Sequence, residues 1–261
     1  MNPTPYLLEC CVDSVESALA AVSGGADRLE LCGDLVVGGT TPSLALFEQV
    51  RERVDIPIRV LLRPRFGDFL YTAYEYKVLA REAELFGKAG AAGIVVGCLT
   101  EDGSLHMGRM EELVGLAREN GMKVTLHRAF DLCADPMEAY RSACHLQVDT
   151  ILTSGQEKDC LTGLPLLKRL DGLQQETGGP RIMAGAGVNP DRIRLFLAQT
   201  GIGCYHMSAR KEVDSGMRYR REGVPMGLPS LSEYTIYRTD KDTVAQARRI
   251  LDEYGYNGPK R

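Results

Sequence analysis

Four residues of alternating polarity, Lys123-Val124-Thr125-Leu126, run directly into His127, Arg128 and Asp131. Period-two alternation marks a short strand whose two faces meet different surroundings. An imidazole, a guanidinium and a carboxylate therefore stand where that strand should stop. Asp135-Pro136-Met137-Glu138 then opens a helix, with Asp135 as N-cap and Pro136 at the first helical position. Other reactive groups fall at the ends of similar short stretches: Glu9 and Cys11, Glu30 and Cys32, Arg63, His206 and Ser208. Carboxylates with an imidazole suit proton transfer, and a guanidinium beside glycines suits an anion. That chemistry needs distant segments to share one mouth.

The elements that would bring them together recur in a fixed order. Strands are expected at Tyr6–Cys11, Arg28–Cys32, Ile58–Leu62, Gly93–Cys98, Lys123 onward, Thr150–Thr153, Arg181–Ala184 and Cys204–Met207. Helices are expected between them. One is capped by Asp13-Ser14, and one is capped by Thr41 with Pro42 as its first residue. Others cover Ala73–Ala89, Met107–Asn120, Leu161–Glu176 and Asp191–Gln199. A final helix covers about Asp242–Tyr254, after a long loop over 208–241. Eight strand-then-helix units about 22–35 residues apart point to a closed (β/α)8 TIM barrel in a single domain. An open doubly wound sheet is the alternative, and the lack of a long insertion favours closure.

In such a barrel, working groups collect at the carboxyl ends of the strands. Alternation assigns the faces. Leu8, Leu29, Leu31, Ile58, Val60 and Leu62 turn outward to the helices. Glu9, Cys11, Glu30, Cys32, Arg59, Arg63, Thr125, His127, Cys204, His206 and Ser208 turn inward. Buried carboxylates need cations, and Arg63 and His127 are the expected partners of Glu9 and Glu30. Gly185-Ala186-Gly187, behind the seventh strand, offers a backbone anion cradle or simply a tight turn. Arg65, Gly185, Gly187 and Ser208 form the expected anion set, with Arg210 nearby.

Composition narrows the function. The 261 residues carry a formal charge of −4, with 44% apolar and 25% charged residues. No basic stripe with interleaved aromatics suggests nucleic acid, and no apolar run is long enough for a membrane span. The first residues do not read as a signal peptide, so the cytosol is expected. Eight scattered cysteines without a C-x-x-C pair suggest neither a disulfide framework nor a zinc knuckle.

Several stretches are similar to the CutC copper-homeostasis family. They include Glu9-Cys10-Cys11-Val12-Asp13-Ser14, Gly25-Ala26-Asp27-Arg28-Leu29-Glu30-Leu31-Cys32 and Gly38-Gly39-Thr40-Thr41-Pro42-Ser43. Thr125-Leu126-His127-Arg128-Ala129-Phe130-Asp131, Leu152-Thr153-Ser154-Gly155 and Gly216-Met217-Arg218-Tyr219 continue the likeness. The resemblance implies a cytoplasmic TIM barrel, assembled as a homo-oligomer (dimer or tetramer) and associated with copper tolerance. It implies Cu(I) as ligand, held by Cys11 and Cys32, and Arg63 nearby would ease thiol ionisation. Cys10, of opposite parity, stays out of that set. Three functions remain open. One is Cu(I) handling through Cys11 and Cys32, assisted by His206. Another is acid–base catalysis on a small phosphorylated or carboxylated metabolite, with Glu9 or Glu30 as base, His127 as partner and Arg63 as anion clamp. The last is an inert barrel that binds partners, with Gly216–Pro229 as lid or oligomer contact.

Overall fold

The computed structural model describes residues 6–227 and 231–257. Eight parallel strands close into a barrel in chain order: β1 (Leu7–Val12), β2 (Arg28–Leu31), β3 (Ile58–Leu61), β4 (Gly93–Val96), β5 (Lys123–Leu126), β6 (Thr150–Thr153), β7 (Arg181–Ala184) and β8 (Cys204–Met207). Pairing of β1 with β8 seals it. Helices α1 (Val15–Ser23), α2 (Leu44–Arg51), α3 (Ala73–Ala89), α4 (Met107–Glu119), α5 (Pro136–Leu146), α6 (Leu164–Thr177), α7 (Pro190–Gln199) and α8 (Lys241–Asn257) surround it. This is a single-domain (β/α)8 TIM barrel. No helix among the described residues is long and apolar enough to cross a membrane.

Alternation along the strands separates an apolar outer layer from a largely polar interior. Leu8, Cys10, Leu29, Leu31, Val60, Ile94, Val96 and Leu126 face the helices and join the main core. Inside the barrel, apolar matter is sparse. Cys11, Cys32, Leu61 and Val95 form one small cluster, and Leu152, Met183 and Cys204 form another. The rest of the interior is polar: Glu9, Arg28, Glu30, Arg59, Thr125, Thr150 and Thr153 are all buried. Gly93 makes room for this layer. A Cβ there would lie 2.5 Å from the Lys123 carbonyl oxygen and 3.1 Å from Cγ of Arg59. The Arg59 side chain thus passes Gly93 to reach the hydroxyls of Thr125 and Thr150.

Helix starts follow local capping chemistry, with two departures from expectation. Asp135 caps α5, accepting from the backbone N–H groups of Met137 and Glu138. For α2 the cap is Ser43, not Thr41, whose hydroxyl is committed elsewhere. It donates to Glu82 and accepts from the Arg63 backbone N–H, tying the end of β3 to α3. Helix α6 begins at Leu164 behind Gly163, later than expected, because Leu161–Gly163 forms a turn.

The segment after β8 is not the expected loop. Two strands, β9 (Arg210–Asp214) and β10 (Thr235–Thr239), pair antiparallel, with Arg210 opposite Thr239. All five β9 side chains are exposed, so no buried face wrote a pattern into that sequence. Of Gly216–Pro229, residues 228 and 229 lie outside the described residues.

The tight fit at Gly93 predicts that Gly93→Ala destabilises the barrel by about 2 kcal/mol, as overpacking does. Thermal unfolding should show the melting temperature falling by roughly 4–8 °C.

Candidate functional site at the carboxyl end of the barrel

Strand register builds the site. Pairing of β1 with β8 sets Glu9 opposite His206, and pairing of β1 with β2 sets Cys11 opposite Glu30. The His206 imidazole lies between two carboxylates: Nδ1 is 2.9 Å from Glu9 Oε1, and Nε2 is 3.4 Å from Glu30 Oε2. The other oxygen of Glu9 accepts from Nε of Arg28, and Arg28 also approaches the Met183 sulfur at 3.6 Å. Burial opposes the charge on Glu9, but Arg28 and His206 outweigh it and hold the carboxyl at about 2. Burial likewise opposes an imidazolium, yet Cys11, Glu30 and Glu9 together push His206 well above its usual range. Glu30, with no arginine of its own, is raised by burial to about 7 despite His206. The cations that the buried carboxylates need are therefore Arg28 and His206, not Arg63 and His127. Arg28 had a legible signal, since it shares the inward parity of Glu30 and Cys32.

Cys11 joins this group. Donor atoms of Cys11, Glu30 and His206 lie within 4.8 Å of one another, a spacing that could hold a metal ion. Cys32 packs beside Cys11 in the small apolar cluster and directs its thiol to its neighbour Glu30's carbonyl oxygen at 3.9 Å. Burial first, and the Glu30 charge second, push the Cys32 thiol well above the ordinary thiol range. The expected easing of ionisation by Arg63 is thus reversed at Cys32. Arg63 turns its guanidinium to the carbonyl oxygens of Gly38 (3.4 Å), Gly39 (3.2 Å) and Gly67 (2.6 Å).

His127 stands in a different environment. Its Nδ1 accepts from the Ala129 backbone N–H at 3.1 Å, and Gly97 clears space for the ring, since a Cβ there would lie 2.7 Å from it. Burial, reinforced by Arg63, pushes the imidazole down to about 3, so it is neutral at pH 7 and is no counter-ion. Asp131, the acid of the opening stretch, is spent on structure. It accepts from the backbone N–H groups of Ser154 and Gln156 and pairs with Arg128 at 2.7 Å. The 3₁₀ turn that carries it, Arg128–Leu132, was not legible in the sequence.

A cavity of about 600 Å³ opens above these groups, its wall including Cys11, Glu30, Cys32, Arg63, His127 and His206. Glu9 lies beneath it. The expected anion set divides: Gly187 and Ser208 line the cavity, with Arg210, whereas Arg65 and Gly185 do not. Arg65 is held by Asp68 at 2.9 Å and Glu75 at 2.6 Å, and the Gly185 N–H donates to the Thr153 carbonyl. Those two therefore have nothing left to offer an anion.

The profile of the CutC family matches residues 6–211. This chain belongs to the CutC family. It is 44% identical over 251 residues to the human copper homeostasis protein cutC homolog, covering 94% of this chain and 90% of that one. A CutC family protein of Bacteroides fragilis is 42% identical over 245 residues, 92% of this chain and 96% of its own. A CutC crystal structure from Streptococcus agalactiae superposes with a TM-score of 0.72 at 24% identity, covering 78% of this chain and 98% of that one. It shares the barrel.

In this CutC chain, removing the cation from buried Glu9 should be costly. Arg28→Met is expected to lower unfolding free energy by about 3 kcal/mol or more, and adding Glu9→Gln should restore part of it. Urea unfolding of the single and double variants measures this. His127 predicts a pH effect. Its folded pKa is depressed, so its contribution is present above the unfolded value near 6.5 and is lost as pH falls toward 3. Between pH 7.5 and 5, the wild-type protein should lose about 2 kcal/mol more than His127→Gln.

Proposed function

We propose that this chain binds Cu(I) at the carboxyl end of its barrel, with sulfur from Cys11 and Cys32 and nitrogen from His206. The observation that carries the reading is the approach of Cys11, Glu30 and His206 donor atoms within 4.8 Å, with Cys32 in the same cavity wall. Cu(I) is soft, prefers thiolate and imidazole, and is satisfied by few ligands. Glu30 is a hard oxygen donor, so its part is to hold the imidazole and take up charge. The copper homeostasis name carried by the human relative agrees with this donor set. None of the eight cysteines is in a disulfide, as suits the cytoplasm. Following the family resemblance, the protein acts there as a homo-oligomer, a dimer or tetramer.

Metal uptake must displace protons, because Cys32 is held as a thiol and His206 as an imidazolium. Cu(I) affinity therefore rises with pH. Anaerobic titration against a competing Cu(I) chelator tests the reading. The Cys11→Ser/Cys32→Ser double variant should lose affinity by roughly 100-fold or more. Cys10→Ser, which faces the helices, should not. Unchanged stoichiometry and affinity in the double variant would remove Cu(I) binding at this site.

A second reading is favoured by the cavity itself. About 600 Å³ is more than an ion needs and falls in the roughly 300–1,000 Å³ range of sites for small organic ligands. In this reading the barrel is an enzyme acting on a small anionic metabolite, phosphorylated or carboxylated. Glu30, at about 7, is the general base, and Arg63, Gly187 and Ser208 hold the anion.

A further inference from the structure

On the other side of the mouth from Cys11, at the ends of β3 and β5, two buried side chains each keep one nitrogen without a hydrogen-bond partner. Arg63 is 9% exposed and His127 is 4% exposed. The Arg63 guanidinium bonds to the three carbonyl oxygens named above and meets the buried Tyr71 hydroxyl, neutral contacts that orient it without neutralising it. No carboxylate among the described residues pairs with it, unlike Arg28, Arg65 and Arg128. Its Nε is buried without a hydrogen-bond partner, and so is Nε2 of His127. Because His127 Nδ1 accepts the Ala129 N–H, the ring proton sits on Nε2, which makes that atom a donor. The Phe69 ring packs against both groups, 5.0 Å from Arg63 Cζ and 4.7 Å from the His127 ring centre.

A buried donor with no acceptor is destabilising, and a buried guanidinium with no anion is more so. Such groups are few in native proteins, and each calls for an explanation, a bound partner among them. Both residues line the cavity, so a ligand has a route to them.

We propose that Arg63 Nε–H and His127 Nε2–H are the paired donors of a site for the carboxylate of a small organic acid, which enters from the cavity by displacing the Phe69 ring. One uncompensated positive charge and one neutral donor match one negative charge spread over two acceptor oxygens. A phosphate dianion would need a second free cation. The other arginines of the cavity wall do not provide one at this point: Arg128 is paired with Asp131, and Arg210 follows β8, three strands from both β3 and β5 around the barrel. Phe69 lines the cavity from the stretch between β3 and α3, outside any helix or strand. His127 acts here as a neutral hydrogen-bond donor, not as a proton shuttle. The inference deepens the second reading of the cavity and rests on it for the presence of an organic ligand. It requires no reaction.

Calorimetric titration of the wild-type protein with acetate, pyruvate and inorganic phosphate provides the test. Acetate or pyruvate should bind saturably at one site per chain and more tightly than phosphate. Arg63→Gln and His127→Phe should each weaken that binding at least tenfold, and the exposed Arg81→Gln should leave it unchanged. Arg63→Lys, which keeps the charge but loses Nε, should bind more weakly than wild type, and it serves if Arg63→Gln does not fold. Absence of saturation by either carboxylate, preference for phosphate, or full affinity in folded His127→Phe would overturn the proposal. Mass spectrometry of small molecules retained on purification separates this failure from that of the wider reading. A retained metabolite without a carboxylate would overturn this site and leave the enzymatic reading standing.

Discussion

A buried carboxylate at the centre of the barrel sets the terms for everything above it. Glu9 is fully buried, and a lone ionised carboxylate in that position would be intolerable. Arg28 from the next strand and His206 from the closing strand take one oxygen each. The pairing therefore links β8, β1 and β2 by charge as well as by backbone hydrogen bonds. It also consumes the two cations best placed to neutralise other acids. Glu30 is left to share only the far nitrogen of His206, and its carboxyl rises to about 7.

Two histidines at one rim consequently behave in opposite ways. His206 lies between carboxylates and beside Cys11, so burial is overcome and the ring is charged. His127 lies beside an arginine and against the ring of Phe69, with its Nδ1 occupied by a backbone N–H, so the ring is neutral. The residue type is the same, and the neighbours decide its state. The mouth is thus divided. One wall carries acids, thiols and an imidazolium, the chemistry of metal or proton exchange. The other carries uncompensated donors, the chemistry of anion recognition.

Much of this arrangement was legible in the residues. The eight strands, the outward Leu and Val set, and the inward positions of Glu9, Cys11, Glu30, Cys32 and His206 follow from alternation, because a strand buried on two unlike faces must write both into its sequence. Caps such as Asp135 follow from the backbone donors that a helix start leaves open. The strands β9 and β10 were missed because β9 buries no face at all.

What the residues by themselves determined is which side chains point inward and therefore who belongs to the mouth. What only the tertiary structure decided is who partners whom there. Arg28, not Arg63, reaches Glu9, Arg65 turns to Asp68 and Glu75, and Gly185 spends its N–H within the barrel. Parity is a local property, fixed by a two-residue repeat along one strand. Partnership depends on the register between strands, on side-chain length and on the loops above them, which no single segment encodes.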